Sequence, residues 1–474
     1  MHLTTHQIDR AVGVLVGQAA GDALGVPYEF GVRALTGEPQ LLGGGLGGIA
    51  PGQWSDDTEM AVCIAEVAAT GADLRTDDAQ QRIAQHFLRW YSDGPPDIGA
   101  QTRAVLAEAL QNGGPAAMTM RSVSADLHAR TGRTAGNGSL MRTGPVALAH
   151  LDDADAMVEA AQLTSALTHA DPVAGDACAL WCCAIAHAVR TGELDVRVGL
   201  PHVDAVSWAP LLDEAETVAP EHYAASNGWV VAALLGAWSA ISRTAGLVPG
   251  LHAAVAGGGD TDTVAAIAGQ LLGAAHGASA VPATYRRRLH GWPGMRVRDL
   301  HRLAFLAAHG GRTGPEGWPG TASIPSYRWA ESTVTQHPDD HGVLLGAVGA
   351  VRPGVADAIV SLCRMGTDPA PLAGVAPEDH VESWLIDKDG ANLDLAGQLV
   401  DAASAVRELR AQGKTVLLHC VHAHSRTPTV AAVYGAMVTG TSPKAALDRV
   451  LAVLPASFPR PSFVEVLERL VIAP

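Results

Sequence analysis

Four carboxylates in two distant stretches constrain this chain more than any other feature. The segment Gly257-Gly258-Gly259-Asp260-Thr261-Asp262-Thr263 sets two acids at alternate positions with a hydroxyl after the second, behind glycines that let the backbone approach a bound group. Far upstream, Trp54-Ser55-Asp56-Asp57-Thr58 offers a hydroxyl and two more acids. A small, apolar run follows each, Val264 to Gly277 and Met60 to Ala69, and reads as a buried helix that holds its acids rigidly. Four such acids cannot meet in a fold unless something neutralises them. Two Mg²⁺ or Mn²⁺ ions would do so, ligated by Ser55, Asp56, Asp57, Asp260, Asp262 and Thr263, and an oxygen-only set accepts either metal.

These stretches belong to an ordered series. Gly17-x-x-x-Gly21-Asp22-Ala23-Leu24-Gly25-Val26-Pro27-Tyr28-Glu29-Phe30 comes first, then Ser55-Asp56-Asp57-Thr58, Pro96-Asp97-Ile98-Gly99, Gly136-Asn137-Gly138-Ser139-Leu140-Met141-Arg142, Thr168-His169 and the Gly-Asp segment. The series resembles the ADP-ribosylglycohydrolase family over roughly the first two thirds of the chain. The resemblance implies an all-α bundle around two metals, the six ligands above position by position, and cleavage of the glycosidic bond of ADP-ribose. Ser55 stands where the family more often has Thr, and Tyr285 follows Pro282 where the family commonly has Trp.

Glycosidic cleavage needs proton transfers by carboxylates outside the metal ligands. Glu29 and Asp97, each in a family-like motif after a proline-containing turn, are the candidates, with Glu29 nearest the chemistry. Without the motif series either would read as a solvated loop acid. Gly136-Asn137-Gly138-Ser139 can present backbone N–H groups to a diphosphate. Its local sequence alone favours an Asn-Gly turn, and its place in the series reverses that toward the ligand contact. His169 stands evenly between a structural residue and a ligand contact. Asp22 reads as a helix-terminus residue behind the ligands.

Length suggests more than one domain. From residue 8 to about 308 the pattern is helix after helix: Ile8 to Ala20, Asp56 to Ala69, Asp78 to Tyr91, Asp155 to Thr168, Val173 to Thr191, Gly228 to Thr244 and Asp262 to Gly277. Gly310 to Pro325 has linker composition, so residues 1–308 read as the all-α domain, 309–339 as a linker and 340–474 as a small α/β domain. In the last part Val343 to Val348, Ala358 to Leu362 and Thr415 to Leu418 are strand-like. Leu395 to Gln412, Pro428 to Met437, Pro443 to Leu454 and Ser462 to Leu470 are helix-like.

The stretch Thr415-Val416-Leu417-Leu418-His419-Cys420-Val421-His422-Ala423-His424-Ser425-Arg426-Thr427-Pro428 reads as strand, loop and helix. Cysteine followed six positions later by arginine is a weak signal alone. A loop entering a helix N-terminus strengthens it, because several N–H groups then point at one anion beside the thiol. This region resembles the cysteine-dependent protein tyrosine and dual-specificity phosphatases. The resemblance implies Cys420 as nucleophile, Arg426 as phosphate clamp and Thr427 as a hydroxyl donor to the departing sulfur. Asp387 in Asp387-Lys388-Asp389-Gly390-Ala391-Asn392-Leu393 becomes the general acid, with Asp389 as the fallback. Ala423 replaces the usual Gly, and His422 and His424 are unusual there, which points to an altered or non-protein substrate.

A formal charge of −16 argues against a nucleic-acid or anionic-membrane footprint. The apolar run Ala11 to Ala20 lacks a basic leader and leads into a motif, so it reads as a helix of the mature fold, and Trp229 to Ile241 is too short to span a bilayer. The chain therefore reads as soluble and cytoplasmic. Cys178 and Cys182, four apart without a second pair, read as buried hydrophobes. The expected partners are an ADP-ribosylated protein or small ADP-ribose derivative, and a phosphorylated substrate. Two rivals stand beside this bifunctional hydrolase: an ADP-ribose-binding scaffold with one or both sites inactive, and a glycohydrolase whose C-terminal domain only binds phosphate.

Overall fold

The computed structural model describes residues 2–472. The residues up to Val281 together with Arg288–Arg312 form one compact unit, and Pro282–Arg287 with the residues from Thr313 on form another.

The first unit is helical: α1 (Thr5–Gly25), α2 (Asp56–Ala68), α3 (Asp77–Ser92), α4 (Ala100–Asn112), α5 (Ala116–Thr131), α6 (Gly144–Ala149), α7 (Ala154–Ser165), α8 (Pro172–Thr191), α9 (Ala205–Ala215), α10 (Val230–Ser242), α11 (Leu247–Ala256) and α12 (Thr261–His276). The turn α13 (Ala283–Arg286) counts with the second unit, and α14 (Val297–Ala308) closes the first beside the short pair β1 (His290–Gly291) and β2 (Met295–Arg296). Thr4 starts α1 with a capping box: its Oγ1 accepts from Gln7 N at 3.3 Å while its own N–H donates to Gln7 Oε1 at 3.0 Å. Among the described residues α8 alone has the length and hydropathy to cross a bilayer, and most of it is buried in the bundle.

The axis of this unit is the contact between α1 and α12. Cβ atoms built on Gly13, Gly17 and Gly21 would lie 2.1, 2.3 and 2.0 Å from the carbonyl oxygens of Gly273, Gly269 and Ala265. One on Gly25 would sit 2.3 Å from the Cα of Asp262. Glycine at every fourth position thus removes side chains from one face of α1, and the two backbones touch directly.

The second unit is an α/β layer. Its sheet runs β3 (Val334–Gln336), β4 (Val343–Ala347), β7 (Val416–Cys420), β5 (Ala358–Ser361), β6 (His380–Glu382), with β3 antiparallel and the other neighbours parallel. The helices are α15 (Leu395–Ala411), α16 (Arg426–Thr439), α17 (Pro443–Val453) and α18 (Pro461–Arg469). Val343, Leu345, Val360, Val416 and Leu418 pack with Leu399, Val406, Val430 and Val433 in one core, while Ile359, Leu417 and Met365 join a second. Burial on both faces explains the unbroken apolar runs of these strands. Residues 309–339, expected as a linker, hold β3 and the buried side chains of Trp318 and Ile324. Isolated aromatics among Gly and Pro leave no period to read.

An ion-pair network ties the base of this sheet to its helices. Arg410 Nε donates to Asp340 Oδ2 at 2.9 Å and Tyr434 Oη to the same oxygen at 2.6 Å. Burial would raise the Asp340 carboxyl, but these bonds and the Gly342 N–H outweigh it and bring it down to about 2. Since the free carboxyl titrates at roughly 3.9, the network's contribution is complete above that pH and is lost as pH falls toward the folded value.

Two outcomes follow. Gly21→Ala should destabilise the first unit by about 3 kcal/mol in urea unfolding, whereas Gly228→Ala, whose Cβ meets nothing within 4 Å, should not. Asp340→Asn should cost the second unit about 1 kcal/mol at pH 7, and the difference from the parent should shrink to nothing as unfolding is followed down toward pH 2.

Candidate functional site

Both acid stretches open helices, with Ser55 capping α2 and Asp260 capping α12. Ser55 makes no side-chain cap of its own. Asp22, near the end of α1, supplies one from outside: its Oδ1 accepts from Ser55 N and Oγ at 2.8 Å each, and its Oδ2 from Thr58 N at 3.1 Å and Thr58 Oγ1 at 2.6 Å. A carboxylate there also suits the positive end of the helix dipole. Asp22 is therefore the helix-terminus residue expected, yet it also stands among the clustered acids.

One carboxylate oxygen each of Asp22, Asp57 and Asp262 lies within 4.8 Å of the others, and the same holds for Glu29, Asp97 and Asp262. The two predicted proton carriers thus share an acid with the predicted metal set. Asp56 and Asp260 lie outside both triples. Asp56 is half-buried, and Asp260 is held by Asn137 Nδ2 at 2.7 Å and by the Thr263 side chain. Ser55 Oγ sits 2.9 Å from Asp57 Oδ2.

Burial first, and then neighbouring carboxylates, hold Asp56, Asp57 and Asp262 well above the usual range. Burial and then Asp97 and Asp260 push Glu29 up to about 8. The partners these acids have among the described residues are hydroxyls, amides and one another, and Asp57 Oδ1 is buried with no hydrogen-bond partner among them. A hard-oxygen cluster this short of positive charge fits divalent cations.

Glycine geometry sets the acids in place. Gly258 and Gly259 adopt φ of +77° and +72°, and a Cβ on Gly259 would strike Ala224 O at 2.3 Å. Asn227, which sequence reasoning passed over, clasps this turn: its Nδ2 donates to Gly258 O at 2.8 Å and its Oδ1 accepts from Asp260 N at 2.9 Å. Its only signal was an ordinary Ser-Asn-Gly turn. Phe30 N donates to Gly259 O at 2.7 Å, which fixes the Glu29 segment beside the acids.

The Gly136–Ser139 loop is only partly as expected. Asn137 N–H already donates to Gly228 O at 3.1 Å, and its side chain holds Asp260. Ser139 is buried with its hydroxyl 2.9 Å from Ser165 Oγ, toward the bundle interior. The glycines matter for space. A Cβ on either Gly136 or Gly138 would come to 3.3 Å from His169 Nε2.

In the second unit Cys420 ends the central strand β7 and is buried. Arg426 opens α16, and its Nη1 donates to Leu362 O and Leu385 O at 3.0 Å each. Asp387 lies 3.9 Å from Arg426 Nε and accepts from Arg460 Nε at 2.8 Å. Asp389 accepts from Ser462 Oγ instead. The buried Thr427 hydroxyl is directed at Gly346 O, 3.5 Å away. Ser457 Oγ donates to Ala423 O and Phe458 N to His424 O, both at 2.8 Å, bracing the loop from its far side. The rings of His422 and His424 stack at 5.7 Å.

Two helices touch through glycine, and an oxygen-only acid cluster sits where the C-terminal end of α1 meets the N-terminal ends of α2 and α12. The ADP-ribosylglycohydrolase family model matches residues 3–315, and the chain belongs to that family. It is 28% identical over 296 residues to the ADP-ribosylarginine hydrolase Tri1 of Serratia proteamaculans strain 568, covering 60% of this chain and 76% of that one. It is 27% identical to the ADP-ribosyl-(dinitrogen reductase) glycohydrolase of Rhodospirillum rubrum, covering 64% and 97%. The solved structure of an ADP-ribosylglycohydrolase-related protein complex aligns with TM-score 0.51 at 27% identity, covering 65% of this chain and 99% of that one.

Ala423 has φ of +57°, the left-handed conformation that a glycine would take without strain. Ala423→Gly should therefore stabilise the second unit by about 1 kcal/mol, read as a shift of its denaturant midpoint.

Proposed function

We propose that the first unit hydrolyses the N-glycosidic bond between ADP-ribose and an arginine side chain, with two divalent cations, Mg²⁺ first, held by Ser55, Asp56, Asp57, Asp260, Asp262 and Thr263. The convergence of Asp22, Asp57 and Asp262, with an orphaned buried oxygen on Asp57, carries this reading. The name of the Serratia relative supports arginine as the linkage. Bound cations would supply positive charge for the sugar oxygens and for a water. Glu29 and Asp97 carry the protons. The bond from the anomeric carbon to nitrogen breaks, water adds hydroxide to carbon, and the proton it gives up returns to the leaving guanidine. Asn227 and Asn137 keep Asp260 in place, and the loop from Gly136 to Gly138 receives the diphosphate end.

A second reading concerns the other unit. Cys420 at the carboxyl end of the central strand, with a fixed Arg426 beside it, supports phosphomonoester hydrolysis. The sulfur attacks phosphorus, the leaving oxygen takes a proton from Asp387, and water then frees phosphate and restores the thiol.

One preparation tests both. ADP-ribosyl-arginine peptide with Mg²⁺ should release ADP-ribose, and chelator or Asp262→Asn should cut the rate about 100-fold or more. p-Nitrophenyl phosphate should release phosphate in the parent and not in Cys420→Ser. Release from ADP-ribosyl-serine peptide alone would overturn the arginine assignment, and no release from either with metal bound would favour the scaffold.

A further inference from the structure

His169 is nearly enclosed, and among the described residues it makes one side-chain hydrogen bond, Nδ1 to Thr168 Oγ1 at 2.7 Å. Among the described residues Nε2 has no hydrogen-bond partner, and it faces the place where Gly136 and Gly138 lack side chains. Which ring nitrogen carries the proton decides what that place offers a ligand. An N–H donates, whereas a bare nitrogen accepts.

The answer lies one bond further back. Arg142 is buried, its guanidinium stacked 4.5 Å over the Phe87 ring, with Nη1 on Met60 Sδ at 3.2 Å. Its Nη2 donates to Thr168 Oγ1 at 2.6 Å. A guanidinium has no acceptor, so the direction of that bond is fixed. Thr168 is fully buried, and its hydroxyl has these two partners alone among the described residues. Were it also to accept from Nδ1–H, its own proton would be left buried without an acceptor, at a cost of about 1–3 kcal/mol. It must therefore donate to Nδ1, which leaves the proton of the neutral ring on Nε2.

We propose that Arg142 and Thr168 are positioning residues that lock His169 in its Nε2–H form, so that the notch between Gly136 and Gly138 presents a fixed, uncharged donor to an oxygen acceptor of the bound ADP-ribosyl group. Burial, and then the neighbouring Arg142 charge, hold the imidazole down at about 3, which keeps it neutral at physiological pH. The glycines complete the device, since a Cβ at either position would press against Nε2. The ligand class rests on the glycohydrolase reading. The tautomer does not.

Two-bond ¹H–¹⁵N spectra of the ¹⁵N-histidine-labelled full chain test it, with His169→Gln identifying the ring by loss of its peaks. The expected pattern is a protonated Nε2 and a bare Nδ1, unchanged from pH 8 to pH 5. In Thr168→Val the ring should become a tautomer mixture and the Kd for free ADP-ribose should rise about tenfold, while Thr168→Ser should restore both. A parent ring protonated on Nδ1, or a Thr168→Val protein with unaltered tautomer and affinity, would overturn the proposal. Should Thr168→Val not fold, the parent spectrum decides alone. A correct tautomer in a protein that neither binds ADP-ribose nor releases it would count against the glycohydrolase reading and leave the relay intact.

Discussion

Everything in the first unit depends on two backbones touching. Without side chains at Gly13, Gly17, Gly21 and Gly25, α1 lies directly against α12, and the C-terminal end of one helix meets the N-terminal end of the other. That meeting is where the acids are. Asp22 comes from α1, Asp262 from α12, and Asp57 from α2, whose N-terminus Asp22 caps. Dispersion and burial along the glycine face oppose the repulsion among carboxylates at its end, so a direct backbone contact braces the buried acid cluster.

The same economy appears around the cluster. Asp22 is at once a helix cap and a member of the acid group, and Asn137 belongs to the glycine loop while it holds Asp260. The atoms that fix these helix ends and turns also belong to the acid cluster or touch it. The buried Arg142 follows that rule at a distance, since its charge never reaches solvent and acts through Thr168 on a histidine.

Much of this was legible in the chain. The helices from Asp56 and from Thr261 begin within a residue of where their acids and caps place them, and β4, β5 and β7 follow their unbroken apolar runs. What escaped has physical reasons. β3 and β6 are three-residue edge strands, too short for any period to appear, and Trp318 is buried within a Gly/Pro-rich stretch. Asn227 acts through a tertiary contact that leaves no local trace. Ser139 looked like a loop hydroxyl because sequence shows that a residue is in a loop but not which side of it faces inward. Ala423 was visible as an unusual loop residue, and its left-handed backbone is the conformation a glycine takes without strain.

The glycine face also behaves as a ruler. Its repeat of four residues would let α1 and α12 slide past each other in steps of about 6 Å and still find glycine opposite backbone. The choice among those positions is made at one end, where Gly25 fits over the Cα of Asp262 and Thr261 Oγ1 donates to Gly25 O at 2.8 Å. That pair is an end-stop. It converts a contact that is smooth along its length into a single register, and so sets the height of Asp262 relative to Asp22 among positions four residues apart.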